Sequence, residues 1–377
     1  LKIVQLANFY TPTSGGLRTT VDELGRGYLD AGHERVLVVP GDAYATEDTP
    51  AGRRVTLSSP QFFWSKTYHV LTSRQTCRLL DEEQPDVLEV SDKLSVAWLA
   101  PWARRRGVPL VLFSHERIDA ILRTRVPDWF PLVALANASN SRLSRRADEI
   151  VVTSNFAAAE FARVGATNVS RIPLGVDLDV FRPRLGKSAP GPVKLVTLSR
   201  LSGEKNADLA VEALRILCAD GVDAELTMIG DGPLRSRIEA LADGLPVTFA
   251  GHIASRETIA SMVGAADIAV FPSPAETFGL ALLESLACGT PIVVPSEGAA
   301  PELVGDVGSG AVTDGSPMGL ARGVRALLTV PEVQRRKAAR VTAQRYPWSA
   351  TIERLLALYS DLTRHEESVN WQAAQRR

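Results

Sequence analysis

The chain has 377 residues, 45% of them hydrophobic, with 42 Lys and Arg against 43 Asp and Glu. That length exceeds one ordinary core and suits two domains. The net charge of −1 gives no global footprint for nucleic acid. The three cysteines, Cys77, Cys218 and Cys288, are too scattered for a disulfide framework or a cysteine zinc site, and they fit a reducing cytoplasm. No apolar run reaches the ~20 residues that span a bilayer, and no charged-then-apolar leader precedes the opening strand.

Ile3 to Ala7 reads as a buried strand, broken by Pro12 to Gly16. Val21, Leu24 and Tyr28 then recur at helical spacing, Gly32 ends that helix, and Val36 to Val39 is a second strand. This βαβ pattern implies a parallel sheet. Val87 to Val90, Leu110 to Phe113, Ile150 to Thr153 and Val169 to Ile172 extend it. Arg182 to Pro192 reads as a linker, rich in Pro, Gly and basic residues.

The pattern then restarts with strands at Leu195 to Leu198, Leu226 to Ile229, Val247 to Ala250, Ile268 to Phe271 and Ile292 to Val294. Helices at Ala207 to Cys218, Leu234 to Leu241, Thr258 to Val263 and Leu280 to Ala287 separate them. The expectation is two Rossmann-like domains, 1–183 and 184–347, facing a cleft, with ligands at the C-terminal strand ends. A helix over 348–364 would cross back to the first domain, and 365–377 is a polar tail expected to be disordered.

Chemistry concentrates at four strand ends. Glu276, Phe278, Gly279, Leu280 and Glu284 lie where a strand passes through a glycine loop into a helix. Free N–H groups of such a first turn form an anion site, and carboxylates accept bonds from hydroxyls. Glu276 acting only as a helix cap is the competing account. Arg200 and Lys205 follow the first strand of the second half and suit a diphosphate leaving group. Thr13-Ser-Gly-Gly-Leu-Arg places Gly16 at a strand-to-helix turn, and His115 ends an apolar strand. Asp177-Leu-Asp179 spells DxD, yet it sits beside the linker without other ligands, so an interdomain or capping role is expected rather than a metal.

Ser199-Arg-Leu-Ser-Gly-Glu-Lys, Gly230-Asp-Gly-Pro and the Glu-x7-Glu run from Glu276 to Glu284 together resemble the retaining family 4 glycosyltransferases of GT-B fold. The resemblance implies an α/β protein of two doubly wound domains that needs no metal or cofactor. It implies that Arg200 and Lys205 bind the donor diphosphate, Glu276 the transferred sugar and Glu284 the ribose. Backbone groups of Phe278, Gly279 and Leu280 would meet phosphates, Gly16 would touch them from the other domain, and His115 would lie near the anomeric carbon. Gly251 and Ile253 would lie beside the base.

A narrower resemblance, to actinobacterial GDP-mannose-dependent mannosyltransferases acting on phosphatidylinositol mannosides, rests on Val4-Gln-Leu-Ala-Asn-Phe-Tyr, Leu88-Glu-Val-Ser-Asp and Ser114-His-Glu-Arg. It implies GDP-mannose as donor, a glycolipid acceptor, and Glu89, Asp92, Glu116 and Arg117 on the acceptor side. Aromatics at Phe62, Phe63, Trp64 and Tyr68, and the apolar run Val126 to Val133 followed by Arg142, Arg145 and Arg146, suit a membrane interface on the inner face of the cell membrane. Core packing accounts for the same residues equally well. A uridine donor with a soluble acceptor, a nucleotide-sugar epimerase, a glycosyl phosphorylase and a non-catalytic binding protein stay open.

Overall fold

Parallel strands covered by helices on both faces are buried on both faces, so they read as unbroken apolar runs. The computed structural model builds two compact units from such runs, and describes residues 1–11, 15–61, 69–117, 119–120, 126–127, 129–183 and 191–375, with side chains to Arg364. One unit comprises Leu1–Arg117, Pro131–Leu174 and Trp348–Arg377, the other Ile118–Phe130 and Gly175–Pro347.

The first unit runs β1 (Lys2–Leu6), α1 (Gly16–Asp30), β2 (Glu34–Gly41), β3 (Ala45–Thr49), β4 (Gly52–Ser58), α2 (Ser73–Glu83), β5 (Val87–Val90) and α3 (Val96–Arg106). It continues with β6 (Leu110–Ser114), α4 (Leu132–Ser144), β7 (Glu149–Val152), α5 (Asn155–Ala162) and β8 (Val169–Arg171). The strand order is β3-β4-β2-β1-β5-β6-β7-β8, parallel except for the antiparallel β3–β4 pair. Chain direction across the sheet reverses between β1 and β5, which makes a switch point there. Val4, Leu6, Val38, Leu88, Val90 and Leu112 pack one continuous core.

The second unit runs β9 (Val193–Leu198), α6 (Asp208–Ala219), β10 (Ala224–Ile229), α7 (Arg235–Leu241), β11 (Val247–Gly251), α8 (Arg256–Ala265) and β12 (Ile268–Val270). It ends with α9 (Leu280–Ala287), β13 (Ile292–Pro295), β14 (Gly310–Thr313), α10 (Pro317–Leu328) and α11 (Glu332–Ala343). Its order, β11-β10-β9-β12-β13-β14, is entirely parallel and is that of a doubly wound dinucleotide-type sheet, with the switch point between β9 and β12.

Residues 175–183 group with the second unit, ahead of the expected boundary at 183/184. Arg340 of α11 holds them there, donating to the carbonyls of Phe181 at 2.6 Å and Leu178 at 3.0 Å. The final helix, α12 (Trp348–Gln375), groups with the first unit and runs through most of the polar tail as helix rather than coil. Thr351 Oγ1 anchors its start on the Pro173 carbonyl at 2.8 Å. The expected aromatic cluster Phe62 to Tyr68 and linker residues 184–190 lie outside the described residues, as do Thr13 and Ser14. Among the described residues no helix is long and apolar enough to cross a membrane.

Candidate active site

In the second unit, loops leaving β9 and β12 rise from adjacent strands whose connections wind in opposite directions, so they converge at the switch point. Lys205 ends the 3-10 turn Gly203–Lys205 after β9, and Glu276 sits in the loop after β12. Their side chains meet, Lys205 Nζ to Glu276 Oε1 at 2.6 Å. Ser273 Oγ bonds the Glu204 carbonyl at 3.0 Å and staples one loop to the other. Glu204 Oε1 accepts from Ser202 Oγ at 2.7 Å and from Arg200 Nη2 at 3.0 Å. Arg200 is still more than half exposed, so its guanidinium remains accessible to an anion.

Glycines let these loops approach backbone to backbone. A Cβ at Gly230, which has φ of +129°, would lie 2.0 Å from the Ser199 carbonyl oxygen. The next loop is tied to the same place by Leu201 N–H donating to the Asp231 carbonyl at 3.0 Å. Gly-Asp-Gly-Pro therefore acts first as the floor under the Arg200 loop. Gly298 does the same beneath Glu276: its Cβ would lie 2.7 Å from the Pro274 carbonyl oxygen, and the Ala299 N–H bonds the Glu276 carbonyl at 2.8 Å.

The start of α9 is capped by Gly279, which has φ of +93° and no side chain to close the helix end. Glu276 is not the cap, which removes the competing account, because its carboxylate goes to Lys205. The first turn of α9 thus presents backbone N–H groups and the positive end of the helix dipole. Phe278 turns its ring into the core against Tyr346, 6.2 Å between centroids, leaving Leu280 and the Gly279 backbone at the helix mouth. Glu284 lies half-buried one turn along α9. Together with burial, its charge pushes the Cys288 thiol up to about 12, so that thiol stays protonated.

Gly251 closes β11, and its carbonyl accepts the Gly230 N–H at 2.8 Å, which places the half-buried Ile253 just past the strand end. Ser255 caps α8 through the Thr258 N–H. Asp177 of the DxD triplet accepts the N–H groups of Asp179 and Val180, both at 3.0 Å, and lies 3.9 Å from Arg256. Its role is to cap that turn.

In the first unit, Gly16 opens α1 and His115 follows β6, both beyond C-terminal strand ends. His115 stacks on Phe113 with ring centroids 4.6 Å apart. Burial lowers its pKa to about 4, so the imidazole is neutral near pH 7. Glu116 is exposed in the same loop, and Arg117 stacks on Phe156 at 4.1 Å while donating to its carbonyl.

Two residues expected on the acceptor side are buried. Glu89 is 0% exposed and its carboxylate accepts from Gln5 at 2.8 Å, Tyr28 at 2.8 Å and Tyr359 at 2.6 Å. Gln5 in turn accepts from the buried Arg35 at 2.6 Å, so the charge is balanced inside the core. Asp92 is also buried, accepting from Leu94 and Ser95 N–H groups and from Asn8 Nδ2. Glu89 ties strands to helices and Asp92 caps the turn into α3, each carboxylate accepting from donors of the protein itself. The sequence reading gave no role to Ser273, Glu204 or Gly298, because a single Ser, Glu or Gly carries no pattern without its spatial partner.

Comparison with known proteins adds independent information. Residues 14–180 match the model "Glycosyltransferase Family 4", and residues 184–344 match "Glycosyl transferases group 1". The chain is 42% identical over 365 residues to a GDP-mannose-dependent alpha-(1-6)-phosphatidylinositol dimannoside mannosyltransferase of Mycobacterium tuberculosis, covering 95% of each. It is 31% identical over 286 residues to a D-inositol 3-phosphate glycosyltransferase of Mycolicibacterium smegmatis, covering 70% of this chain and 64% of that one. Its fold matches sucrose-phosphate synthase from Thermosynechococcus elongatus with TM-score 0.78 at 20% identity, over 96% and 98% of the two chains.

Proposed function

The chain belongs to the family 4 glycosyltransferases, and from that premise we propose that it transfers mannose, with retention, from GDP-mannose to a phosphatidylinositol mannoside-type glycolipid. The observation that carries the transfer chemistry is the Lys205–Glu276 contact at the switch point of the second sheet. Similarity over 95% of both chains supports the mannosyl donor and the lipid acceptor.

In this reading Arg200, Lys205 and the first turn of α9 receive the donor diphosphate. Charge that develops on the leaving GDP meets two cations and the helix N-terminus. Glu276 aligns Lys205 and accepts from sugar hydroxyls with its remaining acceptor sites. Glu284 holds the ribose, Gly251 and Ile253 flank the base, and Gly16 at the start of α1 is a further diphosphate-binding candidate. Neutral His115 hydrogen-bonds the transferring sugar without placing a second positive charge beside an oxocarbenium-like centre. The acceptor hydroxyl attacks the donor face from which GDP departs, and the leaving phosphate takes its proton. Glu116 and Arg117 remain the acceptor-side residues. A lipid acceptor makes a membrane surface the second partner.

The test is transfer to a phosphatidylinositol mannoside with GDP-mannose, UDP-glucose and UDP-N-acetylglucosamine offered separately. Product from GDP-mannose is expected. Turnover with a uridine donor alone overturns the mannosyl reading.

A further inference from the structure

Glu160 is the one charged residue of α5, whose other side chains from Phe156 to Ala162 are apolar. It is 1% exposed, and Lys93, in the loop after β5, is 10% exposed. Lys93 Nζ lies 2.6 Å from Glu160 Oε1 and 5.1 Å from the centre of the Phe161 ring. Asn140 of α4 donates to Glu160 Oε2 at 3.0 Å and accepts from Lys93 at 3.3 Å. Ser114, the last residue of β6, turns its hydroxyl to Glu160 Oε1 at 3.5 Å. One carboxylate therefore joins α5 to a strand end, a loop and α4. Replacing a buried ion pair by apolar residues of similar volume is often neutral for stability. What the carboxylate adds at this position is direction, through bonds that fix where its donors lie.

The donors lie beside His115. That residue comes directly after the last ladder pair of β6, Ser114 with Val152, so strand pairing ends just before it. Helix α5 holds the chain on both sides of it. On one side Glu160 takes the Ser114 hydroxyl. On the other, the Phe156 carbonyl accepts from Arg117 Nη1 at 3.1 Å, and the Arg117 guanidinium lies over the Phe156 ring. We infer that Glu160, charge-balanced by Lys93, is a positioning residue for transfer: it sets the exit of β6 and so the place of the His115 imidazole. The inference rests on the reading above that His115 meets the transferring sugar. Glu160 acts through Ser114 and not on the sugar itself.

Two double variants of the full chain remove both charges and differ in the anchor. Lys93→Met with Glu160→Gln keeps a side-chain oxygen that can accept, and Lys93→Met with Glu160→Leu keeps volume without an acceptor. Thermal unfolding establishes that each folds. With Glu160→Leu, kcat for mannose transfer should fall about tenfold or more, since small misplacements near a reacting centre cost that much. Affinity for GDP, read by calorimetry, should stay within about twofold, because the diphosphate is received by the second unit. With Glu160→Gln most of the kcat should return. The His115 ring, stacked on Phe113, should shift its NMR signals with Glu160→Leu and keep them near native with Glu160→Gln. Should the Glu160→Leu pair fail to fold, Ser114→Ala removes the donor end of the same bond and carries the same expectations. Native kcat in the folded Glu160→Leu pair overturns the inference. So does a lost kcat with unmoved His115 signals, or an equal loss in both pairs. If the native chain transfers nothing from GDP-mannose, the mannosyl reading fails alone, and the His115 signals still decide this inference.

Discussion

Removing one hydroxyl should measurably loosen the first unit. Tyr359 of α12 is 0% exposed and donates to Glu89 Oε2 at 2.6 Å, beside Tyr28 of α1, which donates to the same oxygen. Tyr359→Phe keeps the ring and deletes one bond to a charged acceptor, which is worth about 1.5–3 kcal/mol. A loss of about 2 kcal/mol in a domain of this size lowers Tm by about 4–8 °C. Tyr28→Phe should cost a similar amount. The double variant should lose more than the sum, because Oε2 then has neither tyrosine donor. Burial holds Glu89 above the usual carboxylate range, although Tyr359, Tyr28 and Gln5 pull it down. The native chain therefore gains stability as pH falls from the folded pKa of Glu89 toward the unfolded value of about 4.3. Below it the carboxyl is neutral, and the deficit of Tyr359→Phe should shrink toward about 1 kcal/mol. Thermal unfolding by circular dichroism at several pH values measures this. A deficit under about 0.5 kcal/mol at pH 7, or one that grows in acid, refutes the charged network.

Gly230→Ala puts a methyl group against the Ser199 carbonyl in a backbone conformation that suits glycine, so the Arg200 loop must move. Transfer should drop at least about tenfold, a cost typical of small misplacements near a reacting centre, and steady-state kinetics would show it. The His115 imidazole should titrate near 4 by NMR, and a midpoint above 6 contradicts its burial. Its folded pKa is depressed, so its contribution to stability is complete above about 6.5 and is lost as pH falls toward about 4. Cys288, buried and pushed up to about 12, should resist alkylation at pH 8 until the chain is unfolded.

The parallel sheets were legible because buried strands such as Ile3–Leu6 and Ile292–Val294 are continuous apolar runs between helical periods. The β3–β4 hairpin was not, since Ala-Thr-Glu-Asp-Thr is polar and mostly exposed and offers no alternation. Arg200, Lys205 and Glu276 could be singled out because strand ends in open α/β sheets gather ligands, so residues 71 positions apart can meet. Glu89 misled for the opposite reason. Its partners Tyr28 and Tyr359 lie 61 and 270 positions away, and nothing local distinguishes a carboxylate balanced inside a core from one facing a ligand. Asp92 misled likewise, its turn and its Asn8 partner visible only once β1 and β5 are paired.

The central claim is that Lys205 and Glu276 form the working centre of a GDP-mannose-dependent transferase. It is tested most directly by the kcat for mannose transfer in Lys205→Ala and Glu276→Gln, with folding checked by thermal unfolding. Each should lower kcat by about 100-fold or more, the scale seen when one preorganised stabilising group is removed from a transition state. Near-native kcat in either folded variant would contradict the account.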